Sequence, residues 1–233
     1  MTTVAGLPGL QVMPRTLAQH CAVKWPGDEL PKAVATILSE SQGKAGAFHN
    51  NLDWDGITVI SKDCGIFQIN IPARDVGTAV EYRLRTESHD WDDITPVLEY
   101  SIQRAKALYD QPWTQRRQVT TRHWQPWYGY TGGWATHPLC WVWSPKQSQW
   151  NKTGMYIHRA IKGCANYKLL VSEELSVNEA IMYANRQAER FGLKMEFHHD
   201  ERRNMIDWRA IPPKPTKPPV DGIGPRPKPN NGL

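Results

Sequence analysis

The chain reads as an α+β protein, mainly helical, that ends in a small αβ appendage and a proline-rich tail. Three observations predict this. Apolar residues recur at helical spacing before residue 41 and again over 95–109, short strand-like runs broken by turn residues fill Ala45 to Ile71, and eight prolines follow Ile211. At 233 residues and 40% hydrophobic content there is material for one ample core or for a main domain with an appendage. The second is expected: an N-terminal arm over 1–13, a main domain over 14–167, a strand-helix-strand appendage over 168–211 and a flexible tail over 212–233.

Taken in order, the first helix is expected from Pro14 to Val23, with Leu17, Ala18 and Cys21 on one side, stopped by Pro26-Gly27. Asp28 is expected to cap a second helix that runs through Ala33, Val34, Ile37 and Leu38 to Glu40 and ends before Gly43. Ala33, Ile37 and Glu40 fall at i, i+4 and i+7, so Glu40 leaves this helix on its apolar face and should be partly desolvated. Trp54, Ile57, Val59, Ile66, Phe67 and Ile69 then stand among Asn, Asp, Gly and Ser, which suggests short strands and turns. Helices resume over Val76–Tyr82 and Thr95–Tyr109, the latter carrying Val97, Leu98, Ile102, Ala105 and Leu108 and ending at Pro112-Trp113. In the appendage, Ser176 and Glu179 form a capping box that opens a helix through Ala180, Ile181, Ala184 and Ala188 to Gly192, flanked by apolar alternation at Lys168–Val171 and Leu193–Phe197.

Charge excludes some functions. The net charge of +5 is uneven: beyond Ile211, Lys214, Lys217, Arg226 and Lys228 face only Asp221, so four minus one leaves three of the five in the tail. A dedicated nucleic-acid binder would carry its basic stripe on the folded part. No stretch approaches the roughly 20 apolar residues of a bilayer span, and Met1–Leu10 lacks the basic and long apolar segments of a secretory signal. The four cysteines, Cys21, Cys64, Cys140 and Cys164, are too sparse for a disulfide scaffold; buried thiols are expected, and a Cys140–Cys164 bridge stays open. His137-Pro138-Leu139-Cys140 and His198-His199-Asp200 each lack a second cluster at zinc spacing, and there is no phosphate loop, nucleotide fingerprint or Gly-x-Ser-x-Gly elbow. Neither a metal nor a cofactor is expected.

The chemistry is carried by Glu40-Ser41 and, 23 residues after Glu40, by Asp63-Cys64-Gly65-Ile66-Phe67-Gln68-Ile69-Asn70. A helix-borne carboxyl facing a short amide-bearing strand supplies what glycosidic bond cleavage requires, an acid for the leaving oxygen and polar groups to hold the ring. This pairing resembles the lysozyme superfamily, which includes animal lysozymes and bacterial and phage lytic transglycosylases, and the resemblance extends over Pro14–Tyr167. It implies a lysozyme-like main domain with a small β-hairpin after the Glu-bearing helix. The longer stretch between Glu40 and Asp63, the scarcity of cysteines and an aromatic insert depart from animal lysozymes.

Glu40 is the expected general acid; burial against Ile37 and Phe67 would raise its carboxyl above the reference value of about 4.3. Asp63 stands in the place of the second carboxylate, as nucleophile or electrostatic stabiliser, with an ordinary turn Asp as the open alternative; Asp53 and Asp55 are its rivals. Gln68 and Asn70 are expected to share a strand face at i and i+2 and to hold the acetamido group of an amino sugar. The resemblance implies that Ser41 orients the site and that Tyr130 is a substrate contact. Seven of the eleven tryptophans lie between Trp113 and Trp150. Such rings either cover helices or line a saccharide groove, and Trp127 is the expected sugar contact.

The implied activity is cleavage of the β-1,4 bond between N-acetylmuramic acid and N-acetylglucosamine in bacterial peptidoglycan. A lytic transglycosylase giving anhydro products, or a non-catalytic wall-binding phage tail protein, stay open as alternatives. The expected setting is a phage virion, with other tail proteins as partners, or the host cytoplasm before lysis.

Overall fold

The computed structural model describes residues 11–85, 93–115, 118–121, 123–127, 141–144, 149–152 and 156–211. The proline-rich tail, the first ten residues, Tyr130 and the His137–Cys140 stretch lie outside them. Mixed helix and strand are seen as expected.

Helix α1 (Pro14–Cys21) begins on a proline at its first position and buries Leu17, Ala18 and Cys21. It stops two residues before the expected Val23, because the chain turns there to place Trp25 in the core, its N–H on the Cys21 carbonyl at 2.9 Å. Helix α2 (Glu29–Ser41) is buried almost all round, from Leu30 through Leu38, as a central core helix must be. Asp28 does not cap it as expected: its side chain accepts from Gln187 Nε2 at 2.8 Å and pairs with Arg190 of a later helix.

Strands β1 (Phe48–Leu52), β2 (Val59–Cys64) and β3 (Ile69–Pro72) form one antiparallel sheet in that order, one strand more than a hairpin. A single 3₁₀ turn over Ala73–Asp75 leads to α3 (Ala79–Leu84), which starts three residues after the expected Val76 because Thr78 caps it through Val80 N–H. Helix α4 (Thr95–Tyr109) has both expected ends. Two small hairpins follow, β4 (Pro112–Gln115) with β5 (Gln118–Thr121) and β6 (Trp141–Ser144) with β7 (Gln149–Lys152).

Helix α5 (Tyr156–Leu170) packs against α1, α2 and the next helix. Gly163 permits its crossing with α1: a Cβ there would lie 2.7 Å from the backbone of Pro14. This helix absorbs Lys168–Leu170, so the expected strand over Lys168–Val171 does not form. Helix α6 (Val177–Arg190) opens with the expected Ser176–Glu179 capping box. It is followed by a hairpin, β8 (Met195–Asp200) and β9 (Met205–Ala210), so the C-terminal segment is a helix and hairpin rather than strand-helix-strand.

That segment shares the core of the main domain. Ala180, Ala184, Ala188, Leu193, Met195, Phe197 and Ile206 belong to the same apolar cluster as Leu17, Ile37, Phe67 and Ile161. The Asn166 amide locks the hairpin to α5, accepting from Ile206 N–H at 2.8 Å and donating to Ile206 O at 2.9 Å. Cys21, Cys64 and Cys164 are buried free thiols, and burial pushes the Cys64 thiol up to about 12. Among the described residues no helix is long and apolar enough to cross a membrane.

Candidate active site

The segment Asp63–Asn70 is two structures rather than one strand. Gly65 to Gln68 form a turn, with Gly65 at φ 74° and Gln68 at φ 47°, and β3 begins only at Ile69. Gly65 is required twice over: its left-handed backbone disfavours any side chain, and a Cβ would overlap the Leu84 carbonyl oxygen. Ile66 and Phe67 both enter the core, which consecutive residues of a strand in a sheet open on one face could not do. Past the turn, alternation resumes: Ile69 and Ile71 are buried while Asn70 is exposed on the other face.

On that face the sheet assembles a polar cluster around Asp63. Register pairs Asp63 with Asn70 on β3 and with His49 on β1, and pairs Asn51 with Ser61. Asn70 Nδ2 donates to Asp63 Oδ1 at 2.7 Å, and Asn51 Nδ2 donates to Oδ2 at 3.1 Å. Both amides also reach Ser61 Oγ, at 3.0 and 3.1 Å. Each carboxylate oxygen is thus held by an N–H donor, and hydrogen bonds to a charged acceptor are stronger than neutral ones. Asn51 and Ser61 are functional candidates absent from the sequence expectation.

The opposite face carries a buried ionic clamp. Glu81, 3% exposed, accepts from Lys62 Nζ at 2.6 Å and from Gly77 N–H at 2.8 Å, and pairs with Arg85, 2% exposed. The Arg85 guanidinium lies 3.9 Å from the centroid of Phe48 on β1. Burial pushes the Glu81 carboxyl up, but Lys62, the Gly77 N–H and Arg85 outweigh it and hold it below the usual range. Because Lys62 precedes Asp63 on β2, this clamp fixes from behind the strand that carries the carboxylate in front.

Glu40 sits in the last turn of α2, half-buried, next to the fully buried Ile37 and Leu38. Ser41 is buried: its Oγ donates to Ile37 O and accepts from Gly43 N–H, both at 3.1 Å, closing the helix end directly after Glu40. Gln68 departs from expectation. It shares no strand face with Asn70; its Nε2 donates to Gly65 O at 2.8 Å and Ala47 O at 3.1 Å, tying the turn to the chain that joins α2 to β1. Asn70 alone of that pair stands on the sheet.

Trp127 also departs from expectation. It is 3% exposed, with Nε1 donating to Phe67 O at 2.8 Å, in a nest with Trp25, Phe67, Tyr109 and Trp124. Its ring is a core element that anchors Phe67, not a face open to sugar. The nest is fastened to α2 by Glu29, whose Oε2 accepts from Trp124 Nε1 at 2.7 Å and from the Tyr109 hydroxyl at 3.3 Å. Tyr130 lies outside the described residues.

The rival carboxylates are engaged elsewhere. Asp55 accepts from Ile57 and Thr58 N–H, each at 2.8 Å, and from Thr58 Oγ1 at 2.6 Å, while Asp53 Oδ1 accepts from Trp54 N–H at 2.8 Å. Both serve the β1–β2 turn. On β8, His199 Nε2 and Asn204 Oδ1 are 3.0 Å apart and Asp200 accepts from Arg202 N–H, so the His198-His199-Asp200 run is engaged in its own hairpin. Among the described residues no group of three or more His, Cys, Asp or Glu is arranged to hold a metal ion. No protein-family model matches the chain, and neither a curated protein nor a solved structure matches it.

Proposed function

We propose that the protein is a glycoside hydrolase of lysozyme type that cuts the β-1,4 bond between N-acetylmuramic acid and N-acetylglucosamine in peptidoglycan. The observation that carries this is the Asp63 carboxylate held through both oxygens by Asn70 and Asn51 on the open face of the sheet. Its aim is fixed before substrate arrives, and fixed charge is what stabilises an oxocarbenium-like transition state. Glu40, half-buried at the end of an apolar helix, is the general acid that protonates the leaving oxygen. Asp63 attacks or shields the anomeric carbon, and water completes hydrolysis with Glu40 as base. Ser41 and Gln68 act indirectly, through the main chain between α2 and β1. The hydrolytic outcome is preferred over transglycosylation because the latter has no use for an oriented second carboxylate.

Glu40→Gln tests the assignment on a gel containing purified cell wall: wall clearing should fall by about a hundredfold or more, the contribution of a general acid. Undiminished clearing would remove Glu40 from the mechanism. Product mass separates the outcomes, since an anhydro product is lighter than the hydrolytic one by one water.

A further inference from the structure

The hairpin of β1 and β2 ends in a tip, Asp53–Thr58, that the chemistry above does not use. Of the ten large apolar side chains that stand exposed among the described residues, four fall within nine residues here. Trp54 is 93% exposed and Ile57 82%, with Leu52 and Ile60 about half exposed on the two strands. Four such side chains uncover on the order of 500 Å², as much as the largest apolar patch of a typical monomer. The turn's polar groups are spent on the turn itself. Asp53 N–H donates to Thr58 O at 2.8 Å, Gly56 N–H donates to Asp53 O at 2.9 Å, and Asp55 accepts three bonds from Ile57 and Thr58. What covers the patch therefore gains little by offering backbone hydrogen bonds.

Charge narrows the choice. From Asn50 to Ser61 the chain carries Asp53 and Asp55 and no Lys, Arg or His, and both carboxylates are exposed on either side of Trp54 in the sequence. Beyond Ile211 the balance is the opposite: Lys214, Lys217, Arg226 and Lys228 face only Asp221, among eight prolines. Proline runs favour polyproline II, an open helix that makes no hydrogen bonds of its own, and in that form they are recognised by aromatic side chains. Three residues make one turn of it, which sets Pro212, Pro215 and Pro218 on one edge and Lys214 and Lys217 on another.

We propose that the chain's own tail, Pro212–Pro229, docks on the hairpin tip, its prolines against Trp54 and Ile57 and its cations toward Asp53 and Asp55. Ile211, where the described chain ends, is held by its N–H on Lys194 O at 2.9 Å. At about 3.1 Å per residue the 18 residues from Pro212 to Pro229 span up to about 55 Å. A domain of this size is about 40 Å across, so the tip lies within reach of the same chain. Other occupants fit the charge less well. A second copy docked tip to tip about a two-fold axis would set Asp53 and Asp55 against their own counterparts. An anionic bilayer would repel them, since its interfacial binders carry Lys and Arg. Residues 1–10 contain no Lys or Arg to meet them.

The test uses the full chain at low salt, where exposed charges are least screened. Carbodiimide, which joins a carboxylate to an amine in contact with it, should link Lys214, Lys217 or Lys228 to Asp53 or Asp55 within one chain, as read by peptide mass spectrometry on mixed ¹⁵N-labelled and unlabelled protein. Trp54→Ala leaves every charge in place and should lower the yield by about fivefold, the scale of one aromatic contact. The indole N–H resonance of Trp54, assigned by its loss in Trp54→Phe, should move when Lys214, Lys217, Arg226 and Lys228 are all replaced by Ser, while those of Trp124 and Trp127 stay. No such link, a yield indifferent to Trp54, or an unmoved Trp54 resonance would each overturn the proposal. Links found only between labelled and unlabelled chains would assign the tip to a second copy instead, and a Trp54 resonance that responds to phosphatidylglycerol vesicles but not to the tail would assign it to a lipid surface.

Discussion

Replacing Glu81 by Gln removes the carboxylate shared by Lys62 and Arg85 while keeping nearly the same shape. Breaking a buried ion pair from one side typically destabilises by about 3–5 kcal/mol. The lower end is expected, about 3 kcal/mol, because Lys62 keeps some exposure and can turn toward water, whereas Arg85 is enclosed. Urea unfolding at pH 7 measures this, followed through the fluorescence of Trp25, Trp124 and Trp127, which share one aromatic nest. The midpoint should fall by about 1 M or more with little change in slope, at slopes of about 1–3 kcal/mol/M. A loss below about 1 kcal/mol would refute the reasoning, since water would then be screening the cluster. The pH dependence gives a second reading of the same group. Glu81 is held below the usual carboxylate range in the folded protein and returns to about 4.3 on unfolding. Its contribution is therefore complete above about pH 5 and is lost as pH falls through the folded value. Glu29 is shifted the same way, by Lys32 and by the Trp124 and Tyr109 bonds overcoming its burial, so the acid slope of the Glu81→Gln protein should be shallower but not flat.

The other predictions concern the turn and the sheet face. Asn70→Ala removes one of the two donors to Asp63 from an exposed position, so turnover of a chitin oligosaccharide should fall by about tenfold with the melting temperature nearly unchanged; an unchanged rate would show that Asp63 needs no orientation. Gly65→Ala should destabilise by about 2–4 kcal/mol, from left-handed strain plus the overlap with the Leu84 carbonyl, and a chemical melt within about 1 kcal/mol of wild type would contradict it. Trp127→Phe removes the bond to the buried Phe67 carbonyl and should lower stability by about 1–2 kcal/mol while leaving the Kd for oligosaccharides untouched; weaker sugar binding without loss of stability would restore Trp127 as a ligand contact.

What the sequence shows of this molecule is what local spacing determines. Thr95–Tyr109 is legible at both ends because an apolar stripe runs from a proline at its start to a proline just past its end. The Ser176–Glu179 box is legible because its two bonds join residues three apart. Lys168–Val171 misleads because a run of four cannot display its period, and the helix that takes up its first three residues carries a mid-helix Gly163 whose reason is the distant Pro14. Gln68 misleads for a related reason: consecutive Ile66 and Phe67 are compatible with a turn into the core as well as with a strand, and the turn is held by distant partners, Ala47 O for the Gln68 amide and Trp127 for the Phe67 carbonyl. Asn51 and Ser61 are hidden for another reason. Their approach to Asp63 follows from strand register across three segments, which no single segment contains, and the polar residues run consecutively, His49-Asn50-Asn51 and Ser61-Lys62-Asp63, so alternation does not mark a face.

The two faces of the small sheet divide the work, and the division follows from the period of two along β2. Ser61 and Asp63 point to the open face and Lys62 to the enclosed one, so the residue between the two polar members of the cluster is the one that meets Glu81. A carboxylate that must be aimed to within a fraction of an ångström is better served by a strand gripped from behind than by its own hydrogen bonds alone, because the donors on Asn51 and Asn70 are only as fixed as the strands that bear them. The clamp also reaches β1 through Phe48, which pairs directly with Cys64, so the strands that carry Asn51, Ser61 and Asp63 are both tied to one ionic centre. Loosening Glu81 should therefore lower catalytic rate at temperatures where the protein is still folded, and it should do so in a way that Asn70→Ala does not enlarge in proportion, since both changes disturb the same aim of one side chain. Independent, multiplicative effects of the two substitutions on turnover would separate the clamp from the site.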